Sequence, residues 1–243
     1  MQDGLQTARG LGDANLIAVL LNNIGNLFTH QDHHGQALEA YRESDQQAQT
    51  SGNRLVAAQA LTNASRASIQ LKQYQEAKTL LHQTEPLLRD LEASHESAYL
   101  LINNGLSANT LRTHIAPAAQ IESLTLLAAE RFQAAGTMAD TLSDDRAASY
   151  AWGYLGGLYE EEQRYQEALQ LTRRARSAAQ RIQAPESLYR WQWQTGRLLE
   201  AQGHIDEAIV AYQQAVNTLQ SFRQEMIRGI GSGASTSLSG ERW

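Results

Sequence analysis

Small residues recur along this chain at Gly25, Ser65, Gly105, Gly156 and Gly196, at intervals of 40, 40, 51 and 40. A second small residue follows twelve places on at Ala37, Ala77, Ala168 and Ala208, while the third interval carries Pro117 there. Fixed spacing of this length is the mark of a stacked array, in which each unit is one supersecondary element that buries its apolar face only against its neighbours. Each unit reads as helix A, a short turn, helix B and a short link. Helix A of the first unit spans about 14–31 and helix B about 35–49, with Tyr41 four residues after Ala37. The second pairs 55–71 with a helix B opened by Tyr74-Gln75-Glu76-Ala77. The fourth and fifth repeat that opening as Tyr165-Gln166-Glu167-Ala168 and Ile205-Asp206-Glu207-Ala208, with a carboxylate in the first turn where the helix dipole favours it. Gly12-Asp13, Gly52-Asn53 and Ser143-Asp144 read as a helix stop followed by an N-cap.

The fourth unit carries Trp152, Leu155, Gly156, Tyr159, Ala168 and Ala175, the pattern W-x2-L-G-x2-Y-x8-A-x6-A. Trp152, Leu155 and Tyr159 share one helix face, and Gly156 and Ala168 are small where two antiparallel helices must approach. This pattern resembles the tetratricopeptide repeat. The resemblance implies an all-α, right-handed solenoid of about five helix–turn–helix repeats, at about 14–53, 54–93, 94–144, 145–184 and 185–225. The forty-residue period exceeds the usual thirty-four, which predicts longer helices. The eleven additional residues of the third interval are expected in a loop over 136–145, and Pro86 is expected to kink or end its helix. Residues 1–13 read as a partial helix of a truncated repeat, a last long helix as running from Ile209 to Arg228, and 226–243 as a flexible Gly/Ser-rich tail.

The spacing, Leu21-Asn22-Asn23-Ile24-Gly25 and the closing stretch Ala208–Arg228 are also similar to the array that precedes the caspase-like domain of bacterial TPR–CHAT proteins. That likeness implies a regulatory role beside a His/Cys protease-like domain. The chain has no cysteine, so thiol peptidase chemistry, thiolate metal sites and disulfides have no residue to use here.

A net charge of −6 and a pI near 5.6 argue against nucleic acid as a partner. The longest apolar run, Leu16–Leu21, is too short to span a bilayer, and no signal peptide opens the chain, so a cytoplasmic protein is expected. Catalysis is not expected: paired carboxylates in a cleft and a phosphate loop are both missing from the pattern. No cofactor is implied. His30, Asp32, His33 and His34 cluster in the first turn, but adjacent histidines diverge, and no metal site is read there.

The family's concave groove is lined by helix A, and the resemblance implies a protein or peptide partner. Two places before each small residue stand Asn23, Asn63, Asn103, Tyr154 and Gln194, so the first three form a row of amides able to grip a peptide backbone, or to bridge neighbouring helices. Flanking groove candidates are Asn22, Asn26, Arg66, Tyr99, Tyr150, Trp193 and Arg197. Asn26 and Asn63 match two positions of the family's carboxylate clamp, but the lysines are absent, with Asn22, Tyr99 and Asn103 in their places. Trp191 and Trp193 cannot both point inward from one helix, so one of them is expected to be exposed. Self-association through the open ends of the array is a further expectation.

Overall fold

A computed structural model describes residues 2–89 and 91–237, with side chains over 4–89 and 91–227. Among the described residues there are eleven helices and no strand: α1 (Gln2–Leu11), α2 (Ala14–His30), α3 (His34–Ser51), α4 (Arg54–Gln70), α5 (Tyr74–Leu88), α6 (His95–Arg112), α7 (Ala118–Leu142), α8 (Asp145–Glu161), α9 (Tyr165–Arg181), α10 (Pro185–Ala201) and α11 (Ile205–Ser237). They form two compact units, Met1–Met138 and Ala139–Trp243. In the first unit α2 packs on α3 and α4 on α5, with α3 against α4 and the A helices α2, α4 and α6 side by side. In the second, α8 pairs with α9 and α10 with α11, and α10 lies against both α8 and α9.

Local chemistry sets these hairpins. Asp13, Asn53, Ser94 and Asp144 each accept a hydrogen bond from the backbone N–H three residues on, capping α2, α4, α6 and α8. Seven residues after four of the five small residues, the A–B turn places one residue in the left-handed region: Asp32 (φ 58°), Lys72 (φ 60°), Gln163 (φ 59°) and Gly203 (φ 81°). The next residue donates its N–H back into helix A at 2.8–2.9 Å, as in His33 to Phe28 and Gln73 to Ser68.

Three of the small residues each face an aromatic ring. A Cβ built on Gly25 would stand 2.4 Å from Cε1 of Tyr41, on Gly105 2.7 Å from Cε1 of Phe132, and on Gly196 2.5 Å from Cε1 of Tyr212. In the fourth hairpin the facing residue is Thr172, whose Oγ1 would lie 2.8 Å from a Cβ on Gly156. Two residues reach across from α10: Gln194 Nε2 would lie 2.9 Å from the Cβ on Gly156, and the Trp191 ring 2.4 Å from a Cβ on Gly153, three residues earlier. Trp152 and Leu155 are buried, and Tyr159 packs on the cluster of Ala168, Leu169, Leu198 and Ala208.

Two expectations are corrected. Residues 136–142 are not a loop but the last seven of α7. Leu124, Ala128, Phe132, Ala135 and Ala139 form one fully buried stripe at steps of three and four, which carries the helix straight through Gly136. Relative to the first hairpin, the eleven additional residues lengthen α6 by two past its small residue, the turn by two and α7 by seven. The last helix runs to Ser237, past the end expected at Arg228; elongating a formed helix needs no new nucleus, and no proline interrupts it. The remainder of the expected tail, 238–243, lies outside the described residues. Pro86 sits in the last turn of α5, which ends at Leu88.

Candidate functional site

The A helices of the first unit carry the residues of interest on one face because their opposite faces are committed to the B helices. On α2, Ile17, Ala18, Leu21 and Gly25 are buried, and on α4 Ala57, Ala60, Leu61, Ala64 and Ala67. What remains is a concavity of about 770 Å³ bounded by α2, α4 and α6. Seven of the twelve expected groove residues line it: Asn22, Asn23, Asn26, Asn63, Arg66, Tyr99 and Asn103.

The amides divide into two kinds. Asn63 Nδ2 donates to Asn22 Oδ1 at 3.1 Å and to Asn26 Oδ1 at 3.4 Å, tying α4 to α2. Asn26 Oδ1 also accepts from the Tyr41 hydroxyl at 2.9 Å, and that hydroxyl lies 3.0 Å from Thr29 Oγ1. Burial, offset in part by Thr29 and Arg66, raises the Tyr41 phenol above its ordinary pKa, so it stays a neutral donor. These three asparagines therefore bridge helices. Asn23 and Asn103, one on each flanking helix, make no side-chain hydrogen bond to any described residue. Arg66 carries no ion pair among the described residues, and Glu96 lies on the α6 wall with His95 and Tyr99. The groove thus offers two open amides, one cation and one carboxylate around an aromatic ring.

The other five expected residues belong to the second unit. Tyr150 and Tyr154 stack at 6.0 Å, and Trp191 meets both edge-on at 6.4 and 5.7 Å, so the tyrosines are packing partners of the indole. Gln194 is a correction: only 5% exposed, it donates to Thr172 Oγ1 at 2.8 Å and to the Gly153 carbonyl at 3.2 Å, filling the space above Gly156 rather than lining a groove. Its long side chain lets it do there what Asn104 does in the first unit. Asn104, fully buried, donates to Thr62 and Thr84 at 3.1 and 3.0 Å. Arg197 is held by both oxygens of Glu160 at 2.7 Å. Trp193 is the exposed member of the tryptophan pair, at 46%, while Trp191 is buried and donates to Ser149 Oγ at 2.9 Å.

Sequence reasoning missed Val19 and Gln59 on the groove wall, although each stands six residues before its small residue as Tyr99 does. It also missed Asn53, read only as an N-cap, and Thr62, His95, Glu96 and Leu100, whose positions carry no repeated chemistry.

The family model for the tetratricopeptide repeat matches residues 146–221, which span α8 to α11. Residues 146–221 carry tetratricopeptide repeats. No curated protein matches it by sequence. Among solved structures, BtubC (BKLC) from P. vanneervenii is similar with a TM-score of 0.71 at 16% identity, covering 91% of this chain and 89% of that one. MamA is similar with a TM-score of 0.56 at 16% identity, covering 83% of this chain and 97% of that one. YrrB, described as a TPR protein with an unusual peptide-binding site, is similar with a TM-score of 0.54 at 16% identity, covering 88% and 91%. At these identities the likeness is one of fold. Tetratricopeptide repeats are a fold that typically mediates protein or peptide binding, and no described helix is long and apolar enough to cross a membrane.

Proposed function

We propose that the first unit is a non-catalytic peptide-binding module whose groove over α2, α4 and α6 receives an extended segment of a partner protein. The observation that carries this reading is the pair of open amides, Asn23 and Asn103, eighty residues apart in sequence yet on walls of one concavity. An amide both donates and accepts, which suits a peptide backbone running across the helices. Between them Arg66 meets a carboxylate or a backbone carbonyl, while the bridging trio Asn22, Asn26 and Asn63 holds the walls at fixed separation before any partner arrives. Such preorganisation lowers the ordering cost of binding. The likeness to YrrB, whose description names a peptide-binding site, supports the reading.

The test is capture of partners from the native host on immobilised wild type and on the Asn23→Ala, Asn103→Ala double variant, followed by mass spectrometry and by anisotropy with the segment identified. Each lost hydrogen bond removes about 0.5–1.5 kcal/mol, so the double variant should bind about tenfold more weakly with unchanged circular dichroism. Equal affinity of the two proteins for the same segment would remove the groove from consideration.

A further inference from the structure

Leu38 on α3, Leu169 on α9 and Ile209 on α11 hold one place in the repeat, each thirteen residues after its glycine. Leu38 and Leu169 are 4% and 8% exposed, whereas Ile209 is 49% exposed. The first two are covered by the A helix of the following hairpin: Leu38 clusters with Leu61, Ala64 and Ala67 of α4, and Leu169 with Leu198 and Leu199 of α10. Beside Ile209 lies a largely apolar concavity of about 560 Å³ lined by Trp193, Ile209, Tyr212, Gln213, Val216 and Asn217.

We infer that this α10–α11 face continues the α3–α4 and α9–α10 interfaces, and that it receives one helix of a partner protein presenting small residues three and four apart on its apolar side. The two internal interfaces show why small residues are required. On α9 the residue facing the glycine is the short Thr172, and the docking helix α10 brings Trp191 and Gln194 to fill the groove. On α3 it is Tyr41, and the docking helix α4 brings the buried alanines Ala57, Ala60, Ala64 and Ala67 with Leu61 among them. The α10–α11 groove has Tyr212 in Tyr41's place, with the Trp193 ring tilted against it at 4.8 Å where α8 has Gly153. Both walls are already bulky, so a helix of the α10 kind would drive an indole into Trp193, and a helix of the α4 kind fits. A second copy of the chain does not supply it, because the alanines of that spacing on α4 are buried.

The probe is a synthetic peptide of the α4 sequence Arg54–Gln70, held helical by a crosslink on its outer face, and a second peptide with Ala60→Leu and Ala64→Leu. The chain has no cysteine, so Val216→Cys in the full protein takes a single environment-sensitive dye at the rim of the groove. The α4 peptide should shift the dye emission to the blue saturably, the leucine peptide should bind at least tenfold more weakly, and Ile209→Asp should abolish the shift. Ile209 is half-exposed, so Ile209→Asp keeps the helical circular dichroism. Asn23→Ala with Asn103→Ala should leave this binding untouched, which separates it from the groove of the first unit. No shift, a leucine peptide that binds as well, or a shift that survives Ile209→Asp would overturn the inference. So would sedimentation showing a wild-type dimer that Ile209→Asp converts to monomer, because a second copy would then own the face.

Discussion

Gly25 and Tyr41 touch so closely that no side chain can be added to the first without moving the ring of the second: a Cβ on Gly25 would come within 2.9 Å of three ring carbons. Tyr41 is itself fixed, 2% exposed and hydrogen-bonded to Asn26. Gly25→Ala should therefore destabilise the first unit by about 1–3 kcal/mol through overpacking. Gly35, also helical but with nothing within 4 Å of its would-be Cβ, should respond oppositely, Gly35→Ala gaining about 0.5–1 kcal/mol. Urea melts of the two variants check the pair; a loss in both would mean the ring contact is not the cause.

Adjacent asparagines on α6 should behave unlike each other. Asn104 is fully buried between two threonines and accepts from Arg131 Nε at 3.3 Å, and burial lowers the Arg131 pKa. Asn104→Ala strips that guanidinium of its acceptor and should cost about 1–3 kcal/mol. Asn103→Ala should stay within about 0.5 kcal/mol in the same melt, because its amide has no partner among the described residues to lose.

The A–B turns invite a third experiment. Gln163 holds the left-handed conformation that Gly203 holds one hairpin later, and a non-glycine residue there costs about 1 kcal/mol or slightly more. Gln163→Gly should raise the melting temperature by a few degrees, about 1 kcal/mol, and Gly203→Ala should lower it by a similar amount. Differential scanning calorimetry reads both.

High pH should weaken the α10–α11 hairpin through Tyr212. Burial, followed by the hydrogen bond its hydroxyl donates to Glu200 at 2.7 Å, holds this phenol up at about 12. A raised phenol contributes fully below the ordinary tyrosine value of about 10, and the contribution falls as pH rises from about 10 to about 12, because the unfolded chain gives up its proton first. Tyr212→Phe removes the ionisable group. Its thermal stability should fall less than that of wild type between pH 10 and pH 12; parallel curves would contradict the assignment.

The hairpins were legible because close helix approach demands a small residue, and Gly25, Gly105 and Gly196 recur for that one reason. The path of the third interval was not, since Gly136 reads as a break until the buried stripe from Leu124 to Ala139 is seen to pass beneath it. In the groove, spacing alone placed seven residues on one wall but could not separate bridging amides from open ones. That difference depends on whether a neighbouring helix brings a partner within 3.5 Å, as α2 does for Asn63 and, among the described residues, none does for Asn23. Gln194 was misplaced because one methylene more than asparagine lets it turn inward to Thr172.

Trp191 brings its ring onto Gly153 from the following hairpin, whereas Tyr41 brings its ring onto Gly25 from within its own. The hairpins are thus keyed rather than interchangeable bricks. Shuffling α10 to follow α3 would set that indole against Asn22, which stands where α8 has Gly153, so the order of modules along the chain is written into which of two neighbours brings the large ring.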